Sequence, residues 1–278
     1  MELKTLPITG RTRLYLVIGD PVAQVRAPEL MNPIMQSLGR DAVMVSLQIA
    51  PEQIDQLLPS LLRSPNLDGI LVTIPHKFSA AQHAAKVSPA VEKAGCANAL
   101  RRTSEGWEAE NFDGIGFVQG LSASGFDPAG KRILVVGSGG AGAAIAAAIV
   151  DAKPKMIALF DIEHGRSRRL ADRLANGTAG VSAIEVLPDA ATYDLVVNAT
   201  PLGLQPGDDL PIAVETLSPG TLVADVIMKP QETALLKKAR DMGFGTHLGI
   251  HMLDAQIDMY CRFFGLASGI GDDRTIGA

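Results

Sequence analysis

The sequence predicts an α/β protein built from two units, an N-terminal parallel-type α/β unit followed by a doubly wound one. Two observations support this fold class. Short apolar runs alternate with segments of helical spacing along most of the chain, and this alternation favours parallel sheets. In the second half, the run Arg132–Ala143 passes from β-forming residues through glycines into an alanine-rich segment, which predicts a strand, a tight turn and a helix in succession.

The composition is that of a globular protein able to bury a large core. The chain has 278 residues, of which 47% are hydrophobic and 20% charged, and its formal net charge is -5. The absence of long basic runs argues against a nucleic acid or an anionic membrane as a partner. The N-terminus lacks the apolar core of a signal peptide, and no apolar run reaches the roughly 18 residues of a membrane span, so we expect a cytoplasmic protein.

In the first unit, apolar runs predict strands and helical spacing of apolar residues predicts helices. The first strand stops at Gly19 and the first helix at Gly39, while Pro51 stands at the start of the second helix, where a missing N–H is tolerated. The predicted strands are 14–18, 42–47 and 67–74 with a hairpin of 97–100 and 106–109, and the predicted helices are 27–38, 51–62, 79–86 and 89–93.

The second unit follows a predicted connecting helix at 113–123. Its predicted strands are 132–136, 156–160, 182–186, 194–198 and 221–225, and its predicted helices are 141–151, 166–175 and 232–242. A last helix is predicted over 249–264. We expect residues 269–278 to form a frayed tail.

The glycine-rich turn has the spacing of a Rossmann dinucleotide-binding motif. Gly137 permits the tight turn, Gly139 lets the backbone approach a pyrophosphate, and Gly142 lets the helix pack against the strand. N–H groups at a helix N-terminus favour an anion, and the other cofactor-binding candidates of the turn are Ser138, Gly140 and Ala141. The next apolar strand ends at Asp161, roughly 20 residues past the glycines, where a ribose-binding acid belongs. A turn that served only packing would not explain this acid.

Four polar residues fall where ligands bind in open α/β sheets, at or beyond the carboxyl ends of strands. Thr73 and Lys77 flank the end of the third strand, and Asn98 lies in an otherwise apolar stretch. Asp113 stands at the junction of the two units, where a cleft is expected. A hydride transfer requires an alcohol to lose its hydroxyl proton to a nearby basic group. Lys77 with Asp113 is the Lys/Asp pairing that we place there.

Short motifs spread over essentially the whole chain resemble the shikimate dehydrogenase family. Together these motifs are specific for that family, although none is decisive alone. They are Val17–Val22 (VIGDPV), Val72–Lys77 (VTIPHK), Gly95–Asn98 (GCAN), Asn111–Gly116 (NFDGIG), Asn198–Thr200 (NAT) and Gly249–Gln256 (GIHMLDAQ).

The resemblance implies a role for each of these residues. Lys77 and Asp113 would be the catalytic pair, and Asn98 and Gln256 would bind ring hydroxyls of the substrate. Thr73 would line the substrate site. On the cofactor side, Met252 would lie against the nicotinamide, and the remaining cofactor-binding candidates are Asn198, Ala199, Thr200 and Gly249. The last helix would return to the first unit, so that 1–112 with 247–278 form a discontinuous substrate domain and 113–246 form the Rossmann domain.

This chain also departs from the family's pattern at the substrate site. Where the family has two serines for the substrate carboxylate, this chain has Val25 and Ala27 around Arg26, and the family's asparagine is Leu71 here. The threonine before the catalytic aspartate is replaced by Phe112, and a tyrosine before Asp225 is replaced by alanine. Five polar residues of the family's pattern are apolar here, so Val25, Ala27 and Leu71 are expected to shape a less polar substrate site. Whether Arg26 replaces the missing serines is left open.

The function predicted is hydride transfer between NAD and a hydroxyl of a cyclic hydroxy acid of the shikimate or quinate type, or of a less polar analogue, by a monomer or homodimer. NAD is favoured over NADP because Asp161 would repel a 2′-phosphate and the family's Asn-Arg-Thr of NADP-using members is absent. The other hypothesis is a non-catalytic NAD-binding regulatory protein of the same fold. Retention of Lys77 and Asp113 together with Asn98 and Gln256 argues against it, because a sensor has no need of a proton-transfer pair.

Other polar residues give weaker signals. Cys96 and Cys261 have no metal-ligand or C-x-x-C spacing, so we expect reduced thiols and no metal site. The arginines around Arg166 have the spacing of a solvated helix face. The role of His251, at the start of the last helix, is left open.

Overall fold

The computed structural model describes residues 7–175, 180–187 and 193–266. The predicted tail at 269–278 lies outside these residues. The chain forms two six-stranded sheets, one for each predicted unit, and helices cover both. The predicted α/β fold with a doubly wound second unit is confirmed.

The first sheet has the strand order β2-β1-β3-β5-β6-β4. Its strands are β1 Arg13–Gly19, β2 Ala42–Gln48, β3 Leu67–Val72, β4 Lys86–Val87, β5 Ala99–Thr103 and β6 Gly106–Glu110. Its helices are α1 Ala27–Ser37, α2 Ile54–Leu61 after a 3₁₀ turn at Pro51–Gln53, α3 Lys77–Gln82 and α4 Pro89–Ala94. Strands β1, β2 and β3 are parallel, whereas β5 runs antiparallel to both β3 and β6. The sheet is therefore mixed, because the two-residue link between β5 and β6 permits only an antiparallel hairpin.

One predicted helix of the first unit is wrong at its end. The sequence analysis continued the helix to residue 86, but α3 ends at Gln82 and Lys86–Val87 form the short strand β4. The backbone N–H of Ala85 donates to the carbonyl of Trp107 at 2.8 Å, and β4 then pairs in parallel with β6. A sheet edge offered by a distant hairpin therefore overrides the local helical spacing.

The second sheet is entirely parallel and has the order β12-β11-β10-β7-β8-β9. A connecting helix, α5 Asp113–Ala123, precedes it. Its strands are β7 Arg132–Val136, β8 Met156–Phe160, β9 Val181–Ile184, β10 Leu195–Asn198, β11 Leu222–Asp225 and β12 Gly245–His247. Its helices are α6 Gly140–Asp151, α7 His164–Leu174, a 3₁₀ turn at Val214–Thr216, α8 Ala234–Asp241 and α9 Ile250–Phe263. The edge strand β12 was not predicted, because three residues carry too little pattern.

The last helix returns to the first sheet. Tyr260 and Cys261 of α9 are buried in one apolar cluster with Tyr15 of β1 and Met31 of α1. Helix α5 links this region to the second sheet by a close approach to α6, since a Cβ at Gly114 would lie 2.2 Å from the carbonyl oxygen of Ala144. The N-terminus of α5 is thereby held between the two sheets.

Within the described ranges, none of the helices combines the length and apolar character that crossing a membrane requires. In the same ranges, histidine, cysteine and acidic side chains form no group of three or more that could hold a metal ion.

Candidate active site

The centre of the site is an ion pair between the first residues of two helices. Lys77 begins α3 and Asp113 begins α5, and Lys77 Nζ lies 2.5 Å from Asp113 Oδ2. The two side chains are only 14% and 4% exposed. The carboxylate also lies at a helix N-terminus, where the helix dipole favours negative charge. The preceding residue His76 is buried, and its Nε2 lies 2.7 Å from the carbonyl oxygen of Ile49, away from this pair.

Two amide side chains converge on the other carboxylate oxygen. Asn98 donates from Nδ2 to Asp113 Oδ1 at 2.8 Å, and Gln256 donates from Nε2 to the same oxygen at 3.0 Å. Tyr260 lies behind both amides, because its hydroxyl is 3.1 Å from Asn98 Nδ2 and 2.9 Å from Gln256 Oε1. The structure therefore brings Lys77, Asp113, Asn98 and Gln256 together, and adds a tyrosine that the sequence analysis missed.

An apolar wall stands next to these polar groups. Leu71 of β3 is buried in a cluster with Ala27 and Tyr260, and Val25 and Phe112 pack against the same cluster. The ring of Phe112 makes an edge contact with the ring of Tyr260, with centroids 5.4 Å apart. Tyr260 thus contributes one polar atom to the site and an aromatic face to its wall.

Thr73 and Arg26 lie beyond the strand ends on the same sheet. Thr73 follows β3, and its backbone N–H donates to the carbonyl of Ile18 at 2.9 Å. Arg26 precedes α1 and is half-buried. In the part of the chain that the structure describes, no carboxylate forms an ion pair with Arg26.

The glycine turn has the geometry that a pyrophosphate requires. Gly137 has a φ of +100°, a conformation that favours glycine, and α6 begins three residues later. A Cβ at Gly139 would meet nothing within 4 Å, so the backbone there faces open space. The hydroxyl of Ser138 is buried without a hydrogen-bond partner among the described residues. An open backbone face, an unpartnered hydroxyl and a helix N-terminus together fit a dinucleotide.

The segment Asn198–Thr200 lies against this turn. A Cβ at Gly137 would be 2.8 Å from the backbone of Ala199, and Asn198 Oδ1 accepts a hydrogen bond from the backbone N–H of Thr200 at 3.0 Å. Asn198 is fully buried and donates to Asp225 Oδ2 at 3.1 Å. Burial raises the pKa of Asp225 above its usual value. Asn198 therefore fixes the loop from inside the protein.

The start of α9 lies against the segment that follows β11. A Cβ at Gly249 would be 2.6 Å from the carbonyl oxygen of Ile227, and Met252 is buried. His251 is exposed, and its ring lies 5.0 Å from that of the buried His247. Burial and the neighbouring His251 lower the pKa of His247 to about 4. Within the described residues, no hydrogen bond or ion pair connects His251 to the Lys77–Asp113 pair.

The two halves of the protein meet at the lysine itself. A Cβ at Gly140 would lie 2.9 Å from Cδ and 3.0 Å from Cβ of Lys77, so the stem of Lys77 rests on the first turn of α6. Beside it, the thiol of Cys96 donates to the carbonyl of Gly140 at 3.2 Å. Burial raises the pKa of this thiol to about 12, which keeps it protonated. This thiol, predicted from its spacing to be reduced, thus contacts α6, the helix that follows the glycine turn.

Asp161 lies at the end of β8, as predicted, but it does not stand alone. Its Oδ2 accepts from the backbone N–H of Ser138 at 2.7 Å, which ties the acid to the glycine turn. Arg166 Nη1 lies 3.6 Å from the same oxygen, and Nη2 lies 2.7 Å from Glu163 Oε2. The spacing of Arg166 predicts a solvated helix face, whereas the structure has its guanidinium beside the predicted ribose site.

Comparison with known proteins identifies the family. A model of the shikimate dehydrogenase substrate binding domain matches residues 17–100. A shikimate dehydrogenase (NADP(+)) of Acidiphilium cryptum is 35% identical over 268 residues, which cover 95% of this chain and 95% of that protein. The chain belongs to the shikimate dehydrogenase family. A further member from Rubrobacter xylanophilus is 34% identical over 251 residues and 88% of each chain.

Solved structures of the family agree with this fold. Quinate dehydrogenase from Corynebacterium glutamicum in complex with NAD has a TM-score of 0.80 at 27% identity, covering 91% of this chain and 94% of that one. Shikimate 5-dehydrogenase from Listeria monocytogenes in complex with shikimate and NAD has a TM-score of 0.78 at 26% identity, covering 91% of each chain. The family thus includes proteins solved with NAD as well as members named for NADP(+).

Alanine at two neighbouring glycines should separate cofactor binding from turnover. Gly139→Ala places a methyl group in the open space beside the glycine turn. We therefore expect cofactor binding to weaken by roughly tenfold, about 1.4 kcal/mol, with an unchanged fold. Gly140→Ala places a methyl group against the stem of Lys77, so we expect turnover to fall more than cofactor affinity. Fluorescence titration of the reduced cofactor and steady-state kinetics measure the two effects. Equal losses of affinity in both variants would contradict this separation.

Proposed function

We propose that the protein is an oxidoreductase that transfers a hydride between NAD and a hydroxyl of a cyclic hydroxy acid or a less polar analogue. Lys77 and Asp113 act as its proton-transfer pair. The observation that carries this proposal is the buried 2.5 Å contact between Lys77 Nζ and Asp113 Oδ2, with the lysine stem resting on α6, the helix after the glycine turn. The names of the curated relatives, shikimate dehydrogenase (NADP(+)), support the same class of reaction.

The pair supplies the proton chemistry of this reaction. When bound, the nicotinamide accepts or gives the hydride. An alcohol that is oxidised to a ketone must lose its hydroxyl proton to a group within hydrogen-bond reach. Lys77 Nζ makes one hydrogen bond, to Asp113, among the described residues, so two of its N–H bonds remain for a substrate oxygen. During oxidation, Lys77 can therefore hold that oxygen, give one of its own protons to Asp113 and take the hydroxyl proton in its place.

The remaining substrate contacts follow from the return of α9. We assign residues 1–112 with 247–278 to a substrate domain and 113–246 to the cofactor domain. The packing of Tyr260 against β1 and the reach of Gln256 to Asp113 support this division. Asn98 and Gln256 are the amides nearest the reacting hydroxyl, and Thr73 lies at the rim of the same sheet.

On the cofactor side, the glycine turn and the segment Asn198–Thr200 hold the dinucleotide between them. The contact between Gly137 and the backbone of Ala199 supports this assignment. Gly249 permits the close approach at the start of α9, and we assign the buried Met252 to the nicotinamide end of the site.

Alanine in place of Lys77 should remove most of the turnover. Loss of a positioned acid–base group costs roughly 10²–10⁴ in rate, so Lys77→Ala should lower kcat by that factor and leave cofactor affinity nearly intact. The matched control is Lys237→Ala, which removes a lysine from an exposed pair with Asp241 of similar length, 2.7 Å. Steady-state kinetics and cofactor titration measure both quantities. A Lys77→Ala protein that keeps most of its turnover would refute the proton-transfer role.

The preference for NAD depends on two neighbouring side chains. Asp161 can accept both hydrogen bonds of the adenosine ribose, whereas a 2′-phosphate would meet a like charge there. Arg166 partly offsets this repulsion, because its Nη1 lies 3.6 Å from Asp161 Oδ2 and could pair with a phosphate. We expect the repulsion from the Asp161 carboxylate to outweigh the attraction of Arg166, and NAD therefore to be preferred. The carboxylate is nearly fully buried at the site, whereas the arginine is 40% exposed.

Kinetics with both cofactors test this preference. The parent protein should have a higher kcat/KM with NAD than with NADP, and Asp161→Ala should narrow the difference by removing the like charge while Arg166 keeps its pair with Glu163. Adding Arg166→Ala to Asp161→Ala should then lower kcat/KM with NADP but not with NAD. A parent protein that works better with NADP would overturn the assignment.

Shikimate itself should be a poor substrate. A buried carboxylate left without donors costs several kcal/mol, and the wall formed by Val25, Leu71 and Phe112 offers none. Two arrangements are compatible with this wall. In one, Arg26 turns inward and pairs with a carboxylate; in the other, which we favour, the substrate presents a less polar group.

A comparison of substrates separates these arrangements. We expect kcat/KM for shikimate and quinate to lie well below that for ring polyols without a carboxylate. Arg26→Ala serves as the control, because it should weaken turnover of the two acids alone if the arginine holds their carboxylate. Oxidation of shikimate at roughly 10⁴ M⁻¹s⁻¹ or above, the range of ordinary enzymes on their own substrates, would show that our account of the wall is wrong.

A further inference from the structure

We propose that Tyr260 is a positioning residue for the reaction. Its hydroxyl accepts from Asn98 and donates to Gln256, and so helps to hold the Gln256 amide with its nitrogen towards Asp113, which leaves Lys77 and Gln256 to donate hydrogen bonds to the substrate. This inference rests on the proposed function, because it assigns a role within the same site.

The hydrogen bonds form a closed ring of four side chains. Asn98 Nδ2 donates to Asp113 Oδ1 at 2.8 Å and to the hydroxyl oxygen of Tyr260 at 3.1 Å. The Tyr260 hydroxyl donates to Gln256 Oε1 at 2.9 Å, and Gln256 Nε2 donates to Asp113 Oδ1 at 3.0 Å. All four residues are buried, so each of these contacts forms away from bulk water.

The donors and acceptors around the ring are fixed by the orientation of the Asn98 amide. The backbone N–H of Phe112 donates to Asn98 Oδ1 at 2.9 Å, so the amide nitrogen of Asn98 must face Asp113 and Tyr260. The tyrosine hydroxyl accepts one of those N–H groups, and its single proton is then available for Gln256 Oε1. Gln256 is therefore held with its nitrogen towards Asp113. The tyrosine hydroxyl and the Asp113 carboxylate therefore favour the same orientation of the Gln256 amide, the hydroxyl by donating to Oε1 and the carboxylate by accepting from Nε2.

Counting protons shows which groups remain for the substrate. Both amide protons of Asn98 have acceptors within the ring, so Asn98 supports Asp113 rather than donating to a substrate hydroxyl. Gln256 uses one amide proton on Asp113 and keeps the other. Lys77 keeps two of its three protons, as noted above. The site therefore offers donors for a reacting hydroxyl and one neighbouring oxygen.

The tyrosine is suited to this role because it is rigid and stays protonated. Burial and the nearby Asp113 carboxylate keep the pKa of Tyr260 well above its usual value. Its ring is fixed by the edge contact with Phe112, and Phe112 in turn makes an edge contact with Phe263 at 5.5 Å. The hydroxyl is therefore a permanent donor at a fixed position.

The test is a double-mutant cycle in turnover. The four proteins are the parent, Tyr260→Phe, Gln256→Met and the double variant, assayed with NAD and the best ring polyol or hydroxy acid. Tyr260→Phe keeps the ring and removes the hydroxyl, and it should lower kcat by roughly tenfold, about 1.4 kcal/mol, while the KM for NAD stays unchanged. The double variant should have the same kcat as Gln256→Met, because the tyrosine acts through the glutamine.

Two controls distinguish positioning from stability. Tyr15→Phe removes a hydroxyl from a tyrosine that is buried in the same apolar cluster and makes no hydrogen bond through that hydroxyl among the described residues, and it should leave kcat unchanged. Tyr260→Phe leaves both an Asn98 proton and Gln256 Oε1 without a partner, whereas the double variant has no Gln256 oxygen to leave unpaired, so it should be the less destabilised of the two.

Each outcome has a distinct meaning. A parent protein that oxidises no compound of a broad panel would overturn the proposed function. An active parent with a fully active Tyr260→Phe variant would overturn the role of the tyrosine alone. A double variant whose fold-loss in kcat equals the product of the two single losses would also overturn this role, because it would show that Tyr260 does not act through Gln256.

Discussion

A buried ammonium and a buried carboxylate are each costly, and the cost is tolerable only while Lys77 and Asp113 remain within hydrogen-bond distance. This requirement couples α3 of the first sheet to α5, the helix that leads into the second sheet. Removal of either partner would leave the other charge buried without a counter-charge. The contact therefore contributes to holding the two sheets in place around the site.

The surrounding contacts make the pair part of both halves of the protein. The stem of Lys77 rests on Gly140, the first residue of α6, so a shift of the second sheet would move the lysine. On the other side, Gln256 reaches Asp113 from α9, a helix that is remote in sequence but packs on the first sheet. The carboxylate therefore receives donors from three separate parts of the chain, which keeps it oriented without substrate.

The sequence predicts best the features that local pattern decides. The strand β7, the glycine turn and Asp161 follow from one continuous stretch, and the structure has them where the pattern indicates. The roles of Tyr260 and Arg166 could not be predicted in the same way, because each depends on which helix face meets a distant element. The spacing of Tyr260 four residues after Gln256 does place both on one helix face and was the available signal. The short strands β4 and β12 were missed because they pair with neighbours fixed elsewhere in the chain.

Chemical rescue tests most directly whether the amine of Lys77 is the proton-transfer group. In Lys77→Ala, the lost side chain leaves a gap between Asp113 and Gly140, and a small primary amine could occupy it. The account predicts that ethylamine or methylamine restores part of the turnover with saturation, whereas a tertiary amine too bulky for this buried gap does not. Failure of every small amine to raise turnover in a correctly folded variant that still binds NAD would contradict the account.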